Sequence, residues 1–195
     1  MKRSAVRVGS TLAGDINLIF LHIEGRAPGK TLALVSGIHG NETSSIAGLI
    51  SFIQKLDSMT ESMQGNVIAL PFANPLGLVE NQREVPQGDS DDLNRTFKEH
   101  AFPKSLAEHT AKNIISYLRE CSPHLLIDVH TMSSRSLPMV IIDRVPKTAA
   151  VEKVLWEYAA YTGLPVVHDF PQKDYQEEEL ENSLSAAMLK HQIPS

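Results

Sequence analysis

The stretch LALVSGIHGNE, Leu32 to Glu42, decides the fold, because an apolar run ends abruptly in glycine, histidine, glycine and glutamate. Leu32, Leu34 and Val35 form the short run typical of a buried central strand, and Gly37 lets the backbone turn where a Cβ would obstruct it. His39 and Glu42 follow three residues apart on the turn that opens a helix, an arrangement in which both side chains can converge on one cation. Zinc suits that pair of donors. The spacing alone fits a solvated helix face as well, since His-x-x-Glu pairs arise by chance.

A second stretch repeats the shape. LLIDVHT, Leu125 to Thr131, is another apolar run that closes on a histidine. In open α/β sheets ligands gather at the carboxyl ends of strands. His39, Glu42 and His130 then supply the three protein ligands of a single zinc ion, with one coordination place left for water.

The rest of the chain supplies a scaffold for these two strand ends. Ala5–Val8 and Ile16–Ile23 read as strands joined by a turn at Gly14 and Asp15, an antiparallel edge in which His22 is structural. Gly25–Lys30 is turn chemistry, and Ile46, Leu49, Ile50, Ile53 and Leu56 recur at helical spacing. Asn66–Phe72 is the next buried strand and runs into an Asn74–Gly77 turn. From Val79 to Pro103 periodicity is weak but chemistry is dense: Arg83, then DSDDLNRTF from Asp89 to Phe97. Ser105 and Glu108 read as a capping box before a helix with Leu106, Ile114, Tyr117 and Leu118 on one face. Met139–Asp143 and Leu164–Val167 read as strands around a helix marked by Val151, Val154, Leu155 and Tyr158. The acidic run Asp174–Glu181 reads as a solvated loop or helix start, and Leu184–Lys190 as a short helix. His100, His109 and His168 are expected at the surface. The alternation is that of an α/β protein with one domain, residues 1–195.

Composition agrees. The 195 residues are 42% hydrophobic and 21% charged, enough for one sizeable core. A net charge of −5 argues against nucleic acid or an anionic membrane as partner and favours a small-molecule substrate. The single cysteine, Cys121, excludes an internal disulfide and fits a cytoplasmic location. Met1–Ser10 lacks the apolar centre of a signal peptide.

With these pieces assembled, GIHGNE, DLNR at Asp92–Arg95 and DVHT resemble, in that order, the motifs of the succinylglutamate desuccinylase and aspartoacylase group of the zinc carboxypeptidase superfamily. The resemblance runs from about Ile16 to the C-terminus. It implies a mixed, mainly parallel sheet sandwiched between helices and one zinc ion per chain. It also implies roles. Asn94 and Arg95 would grip a substrate carboxylate, Arg83 would stabilise negative charge on the scissile carbonyl, and Asp92 would take a proton from the far nitrogen of His39. Asp128 shares a strand face with His130 and is read as a supporting carboxylate, since the group does not ligate its metal there. Arg135 is a further candidate for the substrate pocket.

The resemblance further implies a general-base glutamate on a strand beyond the helix and link at Leu184–Ser195, followed by a smaller β domain. The expectation is therefore a catalytic domain incomplete at its C-terminus, with low activity and an unpaired sheet edge that invites a second copy. The activity implied is hydrolysis of the amide of an N-acyl amino acid. A carboxypeptidase acting on short peptides and a non-catalytic zinc-bound binding protein remain open beside it. A nucleotide-binding domain is disfavoured, because no stretch has the glycine spacing of a phosphate loop.

Overall fold

The computed structural model describes residues 1–86, 91–99, 101–132, 135–168 and 171–195. Asp89, His100 and the side chain of His168 lie outside the described residues. Strands β1 (Lys2–Thr11), β2 (Gly14–Glu24), β3 (Ala27–Ser36), β4 (Gln64–Leu70) and β5 (Leu125–Val129) form one sheet in the order β1-β2-β4-β3-β5. β1 pairs antiparallel with β2, and β2 with β4. β3 runs parallel to both β4 and β5. The short strands β6 (Val140–Ile142) and β7 (Val166–His168) form a second, parallel pair. The expected mixed sheet is present.

Alternation along the central strands explains why helices cover both faces. Leu18, Phe20, Ala33, Val35, Leu70 and Leu126 point to one side, where they pack on α3 (Leu106–Cys121) and α6 (Leu184–Lys190). Ile23, Leu34, Val67 and Ala69 point to the other and meet Leu49 and Ile53 of α1 (Thr43–Asp57). A period of two in the strands thus meets a period of 3.6 in the helices. Ile114 of α3 is fully buried in the first layer, and its truncation to alanine should cost about 2–5 kcal/mol. A third cluster joins β6 to α4 (Ala149–Tyr161), α5 (Gln172–Glu177) and α6 through Ile142, Leu155, Tyr175 and Leu189.

Two local readings change. Ala27–Lys30 belongs to β3, with a register shift between Ala27 and Thr31, rather than to a turn; Gln64 Nε2 donates to Pro28 O across this irregular pairing. The Asn74–Gly77 segment is a helix start: α2 (Pro75–Glu80) has proline in its first turn, and Asn74 Oδ1 accepts the Gly77 N–H at 2.9 Å. Asparagine before proline is a helix-entry signal as much as a turn signal, because proline has no N–H to leave unsatisfied. β5 ends the sheet, and its Leu126 N–H donates to Pro194 O at 2.7 Å, so the last residues of the chain lie along that edge. His22 is structural, with Ser4 Oγ and Tyr117 Oη at 3.2 and 2.7 Å from its Nε2.

Candidate metal centre

The carboxyl ends of β3 and β5 lie side by side, since Ser36 is in register with Val129. Past Ser36 the chain adopts a left-handed conformation at Gly37 (φ 66°), and Asn74 N–H donates to Gly37 O at 2.8 Å. A Cβ at Gly37 would sit 2.9 Å from Pro71 O, so the turn requires glycine. It delivers His39 to a buried position, with 4% of its side chain exposed. Glu42 stands where α1 needs a cap, yet its side chain makes no capping hydrogen bond. The carboxylate is turned toward the histidines instead.

There it meets both rings. His39 Nδ1 lies 2.7 Å from Glu42 Oε1, and His130 Nδ1 lies 3.1 Å from Glu42 Oε2. The Thr131 N–H donates to the same Oε2 at 2.8 Å, fixing the carboxylate to the backbone of the second motif. The far nitrogens also face carboxylates: His39 Nε2 is 3.2 Å from Asp92 Oδ1, and His130 Nε2 is 2.9 Å from Asp128 Oδ2. In the metal-free protein each Nδ1 shares a proton with Glu42. With a proton held on the Nε2 side, loss of that bridging proton would free Nδ1 to donate to a cation, which is how outer carboxylates orient ligating imidazoles.

Asp92 is a hub. Its Oδ1 also accepts the Asn94 N–H at 2.8 Å, capping a 3₁₀ turn at Leu93–Arg95, and its Oδ2 accepts from Arg83 Nε at 3.1 Å. Arg83 Nη1 reaches to 3.9 Å from Glu42 Oε1. Asn94 and Arg95 sit on the turn that Asp92 caps; Arg95 Nη1 donates to Asn94 O at 3.0 Å, and Asn94 Oδ1 accepts the Leu184 N–H at 3.1 Å. Arg135 is exposed on the segment after His130, and His109 is exposed on α3. Glu177, Glu178 and Glu179 of the acidic run are exposed as well.

The protonation pattern follows from this geometry. Burial disfavours charge on both rings, but Asp128 and Glu42 push His130 up to about 10, and Asp92 and Glu42 raise His39 above its ordinary value. Burial also opposes ionisation of Glu42, which hydrogen bonds from His130, His39 and the Thr131 N–H nevertheless hold down at about 2. Asp92 is held well below the usual carboxylate range against its own burial by His39 and Arg83.

A divalent cation fits these residues. One ligand atom from each of His39, Glu42 and His130 lies within 4.8 Å of the others. Three carboxylates face two imidazoles and one guanidinium, which leaves a local charge of −2 when the rings are neutral. Among the described residues, Asp128 Oδ1 is a buried oxygen with no hydrogen-bond partner. Nitrogen and carboxylate donors of this kind suit zinc.

Sequence reasoning missed what holds the cluster against its neighbours. Asn74 Nδ2 donates to Glu84 O at 3.0 Å, and Gly40 lies so close to the start of α2 that a Cβ would fall 2.0 Å from the Gly77 carbonyl carbon. The second glycine of GIHGNE was the available signal.

Strands ending in candidate ligands on a helix-covered mixed sheet give the chain a carboxypeptidase-like architecture. It is similar to carboxypeptidase A from Helicoverpa armigera, with a TM-score of 0.66 and 17% identity over 99% of this chain and 57% of that one. Residues 28–189 match the succinylglutamate desuccinylase/aspartoacylase catalytic domain, and the chain belongs to that family. A succinylglutamate desuccinylase/aspartoacylase from Rhodobacter sphaeroides superposes with a TM-score of 0.78 at 20% identity, over 99% of this chain and 56% of that one. The succinylglutamate desuccinylase of Photorhabdus laumondii is 35% identical over 86 residues, 44% of this chain and 24% of the relative. The chain therefore spans about half the length of the Rhodobacter protein. Among the described residues no helix is long and apolar enough to cross a membrane.

Proposed function

We propose that this chain carries the metal centre of a zinc-dependent hydrolase that cleaves the amide of an N-acyl amino acid or a related small amide bearing a carboxylate. The observation that carries the reading is the convergence of His39, Glu42 and His130 beside the turn that bears Asn94 and Arg95. Membership of the catalytic-domain family supports it.

His39, Glu42 and His130 would hold one zinc ion. Bound there, zinc supplies Lewis acidity toward water and a substrate carbonyl. Asp92 and Asp128 keep the two rings in the tautomer that donates through Nδ1. Arg83, half-exposed beside Glu42, offers fixed positive charge where a carbonyl oxygen gains negative charge. Arg95 presents a guanidinium fork matched to a carboxylate, with the Asn94 amide beside it. A cytoplasmic setting and a small-molecule partner go with this chemistry.

The likeness to the Helicoverpa enzyme favours a second reading, a carboxypeptidase acting on short peptides. Zinc-loaded protein should bind one ion per chain and release a free acid from N-acyl amino acids faster than it cleaves dipeptides. The reverse preference would select the peptidase. Protein that takes up no zinc at neutral pH would overturn both, and tight binding of an acylamino acid without product would mark a binding protein.

A further inference from the structure

Away from the metal centre, one carboxylate is buried without an evident duty. Asp143 lies just past β6 and is 5% exposed. Its Oδ1 accepts the Val145 N–H at 2.8 Å and the Tyr175 hydroxyl at 2.7 Å, and its Oδ2 accepts the Ser183 hydroxyl at 3.4 Å. These donors come from the segment after β6, from α5 and from the residue that caps α6. A carboxylate is costly to bury unless such donors surround it, so a site of this kind holds its neighbours in one arrangement.

That arrangement leads to the substrate turn. Ser183 Oγ accepts the Ala186 N–H at 3.1 Å, which leaves its hydroxyl proton for Asp143. On either side of Ser183, Leu184 N–H donates to Asn94 Oδ1 at 3.1 Å, and Asn182 O accepts the Phe97 N–H at 2.9 Å. Residues 182–184 therefore grip the Asn94–Phe97 segment at both ends. Because the oxygen of the Asn94 amide is committed to Leu184, its NH₂ group is the end that remains to meet a substrate, and an NH₂ group donates to a carboxylate.

We propose that Asp143, acting with Tyr175 and Ser183, is a positioning residue for substrate recognition. It holds the first turn of α6 so that Leu184 locks the Asn94 amide as a donor. The inference rests on the reading of Asn94 and Arg95 as the carboxylate anchor.

The test is Asp143→Asn, with Tyr175→Phe as a second variant in case the first fails to fold, and Ser183→Thr as the conservative change that keeps a hydroxyl. Without substrate, amide hydrogen exchange at Leu184 should quicken by roughly five- to tenfold in Asp143→Asn, as loss of one hydrogen bond implies. Zinc uptake should be unchanged, and Ser183→Thr should exchange like wild type. In zinc-loaded protein, KM for an N-acyl amino acid should rise by a similar factor while kcat holds, with a smaller rise for its carboxyl ester. Unchanged exchange at Leu184 in a folded Asp143→Asn protein overturns the proposal. Faster exchange with an unchanged KM would instead show that Asn94 does not read substrate, and would overturn the anchor assignment on which the proposal rests.

Discussion

Gly40→Ala tests the link between backbone packing and the proposed metal centre. An ideal Cβ on Gly40 lies 2.0 Å from the carbonyl carbon of Gly77, 2.3 Å from Leu78 N and 2.4 Å from Gly77 O. Carbon atoms pack at about 3.5–4.0 Å, so the methyl must open the gap by about 1.5 Å. All three obstacles are backbone, and no rotamer change relieves them. Nor is α2 free to withdraw, because Asn74 accepts from Gly77 N–H and donates to Glu84 O. The turn carrying His39 has to yield instead. Overpacking of this kind costs about 1–3 kcal/mol, which lowers Tm by roughly 2–12 °C for a chain of this size. Ligand geometry tolerates only about 0.5 Å of displacement, so zinc affinity should fall by roughly tenfold or more. Gly48→Ala is the control: it lies within α1 with nothing within 4 Å of its added Cβ. Alanine there should raise stability by about 0.5–1 kcal/mol and leave zinc binding unchanged. The assay is thermal melting of both variants, paired with competition for zinc against a chromogenic chelator. Wild-type affinity and melting in Gly40→Ala would refute the reasoning.

His39→Ala or His130→Ala should abolish most zinc uptake, whereas Asp92→Ala should weaken it by roughly 10–100-fold; equal zinc content in all three would refute the division between ligands and supporting carboxylates. The metal-free cluster should respond to pH from both sides. His130, raised to about 10, contributes stability that is complete below its unfolded value near 6.5 and is lost as pH rises toward 10. Glu42, depressed to about 2, contributes stability that is present above its unfolded value and is lost as pH falls through 2. Zinc must displace the protons that bridge these groups, so its affinity should climb about tenfold per pH unit for each proton released, and titration in two buffers of different ionisation enthalpy would count those protons. Arg95→Lys should reduce kcat/KM for carboxylate substrates more than for their esters, because an ammonium cannot reproduce the guanidinium fork; equal losses on both would remove Arg95 from carboxylate recognition.

Much of this protein was legible in one dimension. The apolar run before His39 announced a buried central strand, since residues covered on both faces need no alternation. The run before His130 also folds as a strand, but as the last of the sheet with Ile127 exposed, and each run stopped where side chains serve a site rather than a core. The helical spacing of Ile46, Leu49 and Ile53 and of Leu184–Lys190 located helices for the same reason: burial imposes a period on the chain. The short motifs around Asp92 also pointed to chemistry, because Leu93 and Phe97 anchor the segment in the core while its charged residues have no packing role to explain them. Distance was not legible. That Glu42 sits between two Nδ1 atoms, that Asp92 ties His39 to Arg83, and that Asn94 leans on α6 join residues up to ninety positions apart. Such contacts depend on strand order and register, which local periodicity does not encode. The same holds for Gly40 and Asp143. One owes its identity to a helix start that lies against it, which the second glycine of GIHGNE marks without naming, and the other to three donors that only folding assembles, so the partners of neither can be read from its own neighbourhood of the chain.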